Sequence, residues 1–420
     1  MTTDHTSPAE GEVLLEVKGL TKYFPILGGI LQREVGAVKA VESVDFNVRR
    51  GETLGIVGES GCGKTTLGRL ILNLIKPTAG EVHFKGKLIS DFHSDPDEVR
   101  WQRDRMRKTL VTQIPGIILF LIGVYFFAVG PNENLFLWLP LFLIGGGLSV
   151  LGVRFGAEPS PMSRWLRQEI QVVFQDPYAS LNSRLTVEKT LSEPILYHRL
   201  KKEEEIEPYL VSLLEEVGLT ANHLERFPHE FSGGQRQRIT VARALVLQPE
   251  LIVLDEPTAS ADVSVRAKVL NMLKRLQEQR GLTYLLISHD LSIVEYVSDR
   301  ILVMYLGHIV EFGPKFIFQS DDMVHPYTKA LYQAIPQPDP ERKVERIILK
   351  GDVPSPVNPP SGCVFHPRCP SAMKVCQEVK PLLREVGVDH QIACHLYDPE
   401  IMHNADTTPL EVDTVASAAE

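Results

Sequence analysis

Apolar residues recur along this chain with two different periods. Between Val13 and Val57 they fall in short runs separated by turns: Val13–Val17, Ala37–Val44 and Thr53–Val57. The last run is apolar and bounded by glycines, which predicts a fully buried strand. Helical spacing follows over Thr65–Leu74, closed by the turn Lys76-Pro-Thr-Ala-Gly80. It returns over Tyr209–Val217, Gln237–Leu247 and Val263–Gln279, while Leu251–Leu254 and Thr283–Ile287 read as buried strands. Strands alternating with helices predict an α/β fold around a mostly parallel sheet.

The middle of the chain breaks this rhythm. Between Lys108 and Glu133 lie 24 residues without a charge, and between Glu133 and Arg154 lie 20 more. As helices they would span roughly 36 and 30 Å, against a hydrocarbon thickness of about 30 Å. The turn between them, Gly130-Pro-Asn-Glu-Asn134, holds only an acid. The outer flanks are basic, with Arg103, Arg105, Arg107 and Lys108 before and Arg154, Arg164 and Arg167 after. That asymmetry predicts a transmembrane hairpin over 108–154 with both outer ends in the cytoplasm. The alternative is a pair of buried core helices, loosened by Pro115, Pro140 and Gly145–Gly147.

Composition then limits the function. The chain has 420 residues, 44% apolar and 23% charged, which is globular composition with length for two to three domains. A formal net charge of −9 argues against a surface built to grip nucleic acid. Six of the excess acids (Asp398, Glu400, Asp406, Glu411, Asp413 and Glu420) follow Leu396 without a Lys or Arg among them, so 398–420 reads as a disordered acidic tail. Residues Met1–Pro8 lack both the basic start and the apolar core of a signal peptide. The five cysteines are therefore expected in a reducing compartment, without disulfides.

The chemistry concentrates at strand ends. Gly58-Glu-Ser-Gly-Cys-Gly-Lys-Thr65 follows a buried strand and opens a helix, the context that a phosphate-binding loop requires. Its glycines let backbone N–H groups curl around phosphate oxygens, and the helix N-terminus adds its dipole. Lys64 would neutralise the β- and γ-phosphates, and the Thr65 hydroxyl would ligate Mg²⁺. Cys62 fills a free position of the loop. The strand Leu251–Leu254 ends in Asp255-Glu256. Beside a phosphate loop, one carboxylate can hold the Mg²⁺ water shell and its neighbour can deprotonate the attacking water. Taken alone, such a pair could equally be a solvated strand end.

Phe231-Ser-Gly-Gly-Gln235, followed by Arg-Gln-Arg-Ile on a helix about twenty residues before Asp255, narrows the field. With this motif the chain resembles the ATP-binding subunit of an ABC transporter. The resemblance implies a P-loop ABC ATPase domain with a helical subdomain. It also implies that ATP is held by Gly58, Glu59, Ser60, Gly61, Cys62, Gly63, Lys64, Thr65 and Thr66. Gln175 in Val-Phe-Gln-Asp-Pro looks like the Q-loop glutamine, and Asp262 like the D-loop aspartate. His289 in Ile-Ser-His-Asp looks like the switch histidine, and Phe24, with Tyr23 as the near alternative, like the aromatic that stacks on adenine. On this pattern Glu256, His289, Gln175 and Lys64 are the catalytic set. Thr65, Gln175 and Asp255 hold Mg²⁺, and Ser232, Gly233, Gly234 and Gln235 meet the ATP of a second subunit. One departure is local: where the family has a bulky apolar residue before the D-loop aspartate, this chain has Ala261.

Within ABC subunits the chain is similar to the oligopeptide/dipeptide (peptide/nickel) importer group. The stretches that carry this are Gly58–Gly63, Gln175-Asp-Pro-Tyr-Ala-Ser-Leu-Asn182, His325-Pro-Tyr-Thr-Lys-Ala-Leu331 and the run from Val353 to Cys369. The resemblance covers about 12–104 and 163–397. It suggests an ATPase domain over 12–107 and 155–315 and a small Cys-rich C-terminal region over 316–397, while the hydrophobic hairpin over 108–154 is foreign to the family's usual pattern. In that region Cys363, Cys369, Cys376 and Cys394 are separated by five, six and seventeen residues. Four thiolates could hold zinc or an iron–sulfur cluster, or remain unmetallated; the family resemblance implies a [4Fe–4S] cluster. The partners it implies are a second ABC ATPase subunit (a paralogue or a second copy), two transmembrane permease subunits and an extracytoplasmic solute-binding protein. The chain would then sit at the cytoplasmic face of the membrane, held there by its own hairpin. Two alternatives stand beside peptide import: a soluble ABC ATPase that remodels nucleic acid or ribosomes, and an importer of the same type carrying nickel or another small solute.

Overall fold

In a computed structural model the described residues are 11–29, 33–91, 96–129, 143–144, 161–259, 263–319, 324–335, 347, 349, 351–404 and 408–410. They divide into two units, Met1–Ser90 with Gln168–Glu420, and Asp91–Arg167.

The first unit is built on an eight-stranded sheet. Its parallel part runs in the order β9 (Arg300–Tyr305), β3 (Thr53–Val57), β8 (Thr283–Ser288), β7 (Leu251–Asp255) and β6 (Ile170–Val173). Every residue of β3, β8 and β9 is buried, as expected of strands covered on both faces. At Leu306 and Gly307, both with positive φ, the chain turns back into β10 (His308–Pro314), antiparallel to β9. The late strands β12 (His390–Ile392) and β11 (Arg384–Gly387) extend this edge, so the C-terminal region shares the sheet that carries the phosphate loop. A second, antiparallel sheet orders β2 (Arg33–Arg49), β1 (Val13–Gly28), β4 (Ala79–Phe84) and β5 (Lys87–Leu88). Helices Val187–His198, Glu203–Glu216 and Gly233–Leu245 pack on one another through Leu191, Leu210, Leu213 and Ile239.

The acidic segment after Leu396 is more ordered than its charge suggests. Pro399–Asn404 is helical, and the Asp398 carboxylate accepts the Glu400 N–H at 3.1 Å while pairing with Arg384 at 3.2 Å. Further on, Lys374 N–H donates to Thr408 and Leu410 N–H to Ala372. A disordered tail beginning at 398 is thus corrected: the capping carboxylate and these strand-like bonds tie the segment to the Cys-rich region as far as Leu410. Residues 411–420 lie outside the described residues.

In the second unit the apolar segment belongs to one 34-residue helix, Pro96–Val129. Proline at the first helical position has no N–H to lose. The helix therefore starts 13 residues before Thr109 and takes in Arg103–Lys108, which the sequence reading placed outside as a flank. Arg105 lies 5.0 Å from the Trp101 ring, one turn earlier. Among the described residues no helix is long and apolar enough to cross a membrane, and this overturns the transmembrane hairpin and the anchor drawn from it. The physical reason lies in the helix itself. Its first third is charged, and Gln113, Pro115 and Gly116 interrupt the apolar run. Apart from Leu143 and Ile144, the second arm lies outside the described residues.

Candidate functional site

The loop Gly58–Gly63 joins the buried end of β3 to the helix Lys64–Ile71. Its shape depends on glycine at two places. A Cβ on Gly63 (φ 107°) would stand 2.1 Å from the Ala40 carbonyl oxygen, and one on Gly58 2.2 Å from that of Met304. The Lys64 side chain is buried, and its Nζ donates to the carbonyls of Gly58 at 2.7 Å and Glu59 at 2.9 Å. The ammonium is thus held inside the loop by two of its backbone carbonyls. Cys62 is buried beside it, and burial raises its thiol above the ordinary range.

At the neighbouring strand tip, β7 delivers Asp255 and Glu256. The Thr65 hydroxyl donates to Asp255 Oδ1 at 3.4 Å. Burial, and then the adjacent Glu256 charge, raise the Asp255 carboxyl above its usual range. Glu256 has φ 47°, rare for a residue with a side chain and of order 1–3 kcal/mol in strain. Its Oε2 accepts from Gln175 Nε2 at 2.9 Å, and its Oε1 from His289 Nδ1 at 2.9 Å. Since a carboxylate only accepts, that His289 nitrogen carries the proton. Three residues separated by 81 and 33 positions therefore meet at one carboxylate.

Two openings flank this group. One, of about 280 Å³, is lined by Phe24, Ser60, Gly61, Lys64, Thr66 and Glu256, with Pro356 at its edge. The other, of about 540 Å³, is lined by Thr65, Gln175, Asp176, Arg243 and Asp255. Phe24 and not Tyr23 faces the first. The Tyr23 hydroxyl is spent on Glu42, at 2.7 and 2.8 Å from its two oxygens. Thr65, Gln175 and Asp255 give the second opening three hard oxygen donors, a set that fits Mg²⁺, which keeps most of its waters.

Ser232, Gly233, Gly234 and Gln235 line neither opening. They form the capped start of the helix Gly233–Leu245, where the Ser232 hydroxyl accepts Gln235 N–H at 3.3 Å and Gln235 Oε1 accepts Ser232 N–H at 3.1 Å. Asp262 and Ala261 lie outside the described residues.

The cysteine quartet does not fit an iron–sulfur centre. Cys363, Cys369 and Cys376 are buried, and burial raises Cys363 to about 11 and Cys369 to about 12, with Cys376 and Cys394 also raised. Among the described residues no group of three or more His, Cys, Asp or Glu is placed to hold a metal ion, so the [4Fe–4S] assignment is withdrawn. The neighbouring histidines bond to backbone: His366 to the Cys363 carbonyl and His395 to that of Val379.

Sequence reasoning missed residues of the C-terminal region that reach the phosphate loop. Arg368 makes a two-pronged ion pair with Glu59 at 2.7 and 3.2 Å, across 309 positions. The Tyr327 hydroxyl accepts the Glu59 N–H at 2.9 Å. The Pro356 carbonyl accepts Lys39 N–H at 3.0 Å and brings that proline to the Phe24 opening. They lie in the stretches His325–Leu331 and Val353–Cys369 that carry the family resemblance, but no local pattern shows what they touch, because each acts through a partner far away in the chain.

The sequence matches the ABC transporter family over 41–114 and 151–259, and the oligopeptide/dipeptide transporter C-terminal region over 310–376. It is 43% identical over 391 residues to the oligopeptide transport ATP-binding protein AppF of Bacillus subtilis, covering 93% of this chain and 99% of that one. It is 39% identical over 390 residues to the dipeptide transport ATP-binding protein DppF of Haemophilus influenzae, covering 93% and 98%. Among solved structures it is similar to a dimeric ATP-binding cassette in a post-hydrolysis state with ADP and Pi. The TM-score is 0.50 at 23% identity, over 72% of this chain and 99% of that one, a likeness of fold.

Proposed function

The chain belongs to the ABC transporter ATP-binding family, in its oligopeptide/dipeptide branch, and from that premise we propose that its ATP hydrolysis drives import of di- and oligopeptides through partner permease subunits. Similarity to peptide-transport subunits over 93% of the chain sets aside the nucleic-acid remodelling alternative. We infer an ATPase domain over 12–107 and 155–315 and a C-terminal region over 316–397, supported by the family matches on either side of 115–150.

The chain's own residues divide the work as follows. Phe24, which lines the same opening as the phosphate loop, offers a stacking face for adenine. Backbone N–H groups of Gly61 to Thr66 and the Lys64 ammonium take the phosphates. Mg²⁺, held by Thr65, Gln175 and Asp255, would supply neutralising charge for the phosphoryl group. Glu256 accepts the proton of the attacking water. Gln175 and His289 hold its carboxylate in place from both sides, and His289 turns a protonated ring nitrogen toward it. The capped helix start at Ser232–Gln235 is exposed away from its own openings and is suited to the ATP of a second ATPase subunit. The assembly includes two permease subunits and a solute-binding protein, with this subunit at the cytoplasmic face.

The observation that carries the reading is Glu256 clamped between Gln175 and His289 beside the phosphate loop. Glu256→Gln keeps the shape and removes the base. ATP binding should persist while turnover falls by about 10²–10⁴. ATPase rate and the affinity for a fluorescent ATP analogue, measured on the purified transporter, decide it: wild-type turnover in the variant would remove Glu256 from its role.

A further inference from the structure

The phosphate loop is not held by its own strand and helix alone. Glu59, its second residue, is gripped from the C-terminal region at both side chain and backbone. Arg368 supplies two N–H donors to the Glu59 carboxylate, at 2.7 and 3.2 Å, and the Tyr327 hydroxyl accepts the Glu59 N–H at 2.9 Å. Behind them stands a rigid wall. Tyr305, Tyr327 and Phe365 are wholly buried, with ring centroids 4.8 to 5.3 Å apart in edge-on or tilted packing. The Arg368 side chain is only 9% exposed, so its fork is fixed by packing. The Glu59 carbonyl is in turn one of the two acceptors that hold the Lys64 ammonium at 2.9 Å. A chain of direct contacts therefore runs from Arg368 through Glu59 to Lys64.

We propose that Arg368 is a positioning residue for nucleotide binding: it neutralises and fixes Glu59, so that the phosphate loop offers its donors to a polyphosphate without a free carboxylate beside them. The C-terminal region thereby becomes part of the ATP site in the same chain. This rests on reading Gly58–Thr65 as the nucleotide site.

Two physical consequences separate this role from simple bracing. If Arg368 only braced the fold, its loss would be felt whatever stands at 59. If it neutralises Glu59, the harm comes from the unpaired carboxylate, and removing that charge should repair it. The experiment uses the full chain and a fluorescent ATP analogue. Arg368→Gln should raise the Kd about tenfold, within the usual range of coupling between sites. Glu59→Gln with Arg368→Gln should return it to within about threefold of wild type. An unchanged Kd in Arg368→Gln, or a double variant as weak as the single one, overturns the proposal. Should Arg368→Gln fail to fold, Arg368→Lys carries the test, because it keeps the charge and loses the fork. A Kd within about threefold of wild type supports neutralisation of Glu59, and a rise of about tenfold despite the retained charge refutes it. Wild-type protein that does not bind the analogue, or Lys64→Ala that binds it normally, would instead strike the nucleotide-site reading itself.

Discussion

His325 opens the helix Pro326–Gln333 as its cap: the ring Nδ1 accepts the Tyr327 N–H at 3.1 Å, which only a neutral ring can do. Complete burial pushes its pKa down to about 3, and burial pushes His308 down to about 4. Between those values and an unfolded-state value of about 6.5, the unfolded chain binds more protons than the folded one, so stability rises with pH in that window. The contribution is intact above about pH 6.5 and is lost on acidification. From pH 7 to pH 5 each of the two histidines should cost about 2 kcal/mol. His325→Asn keeps a cap acceptor that does not titrate, so its decline over that range should be smaller than that of wild type by about 2 kcal/mol. Urea unfolding at the two pH values measures this, and equal declines in both proteins would refute it. At this scale the sequence was readable wherever chemistry is local. Lys64 and Thr65 open a helix, and Asp255, Glu256 and His289 sit at strand ends, all with recognisable neighbours. Arg368 was not readable, because its partner lies 309 positions away.

Among the elements, the strands that were legible are those whose residues are all apolar for one reason, burial on both faces. Runs such as Thr53–Val57 and Thr283–Ser288 declare it. Strand β10 hides because Glu311 sits in its middle. That carboxylate is wholly buried and is satisfied by the His325 N–H at 3.0 Å and by His390 Nε2 at 2.9 Å, contacts that no period of two or 3.6 encodes. The long apolar segment misled for the opposite reason. Absence of charge was read as a membrane span, whereas the helix it belongs to begins at Pro96 inside a charged stretch. Strand β3 also shows how tightly an element can be seated. A Cβ at Gly55 would fall 2.3 Å from Val294 Cγ1 and 2.4 Å from Ser298 Oγ, so the helix Leu291–Val297 rests directly on the strand. Gly55→Val should cost about 2 kcal/mol through overpacking and should weaken nucleotide binding, since β3 leads into the phosphate loop. Urea midpoints and analogue affinity test it; unchanged stability would mean that the helix is free to lift.

For the whole molecule, the question is whether the Asp91–Arg167 unit is required by the ATPase into which it is inserted. The family match stops at 114 and resumes at 151, inside that unit. On the ATPase side, the chain resumes at a point already fastened. Lys85 Nζ, near the exit, reaches Glu169, near the re-entry, at 2.8 Å, and Glu250 at 2.7 Å. With the two ends bridged in this way, replacing the insert by a short linker closes a small loop, and loop-closure entropy changes only slowly with length. Replacing Thr109–Val153 by a short Gly/Ser linker should therefore leave ATP-analogue affinity within about twofold of wild type and the Glu256-dependent turnover intact. Half or more of the surface of Leu110, Val111, Ile114, Ile118 and Leu121 is exposed, so the excision should also lower binding of a hydrophobic dye and slow aggregation. Loss of analogue binding together with a lowered unfolding midpoint would show instead that the ATPase depends on the insert for its own folding, and that the two units are not separable.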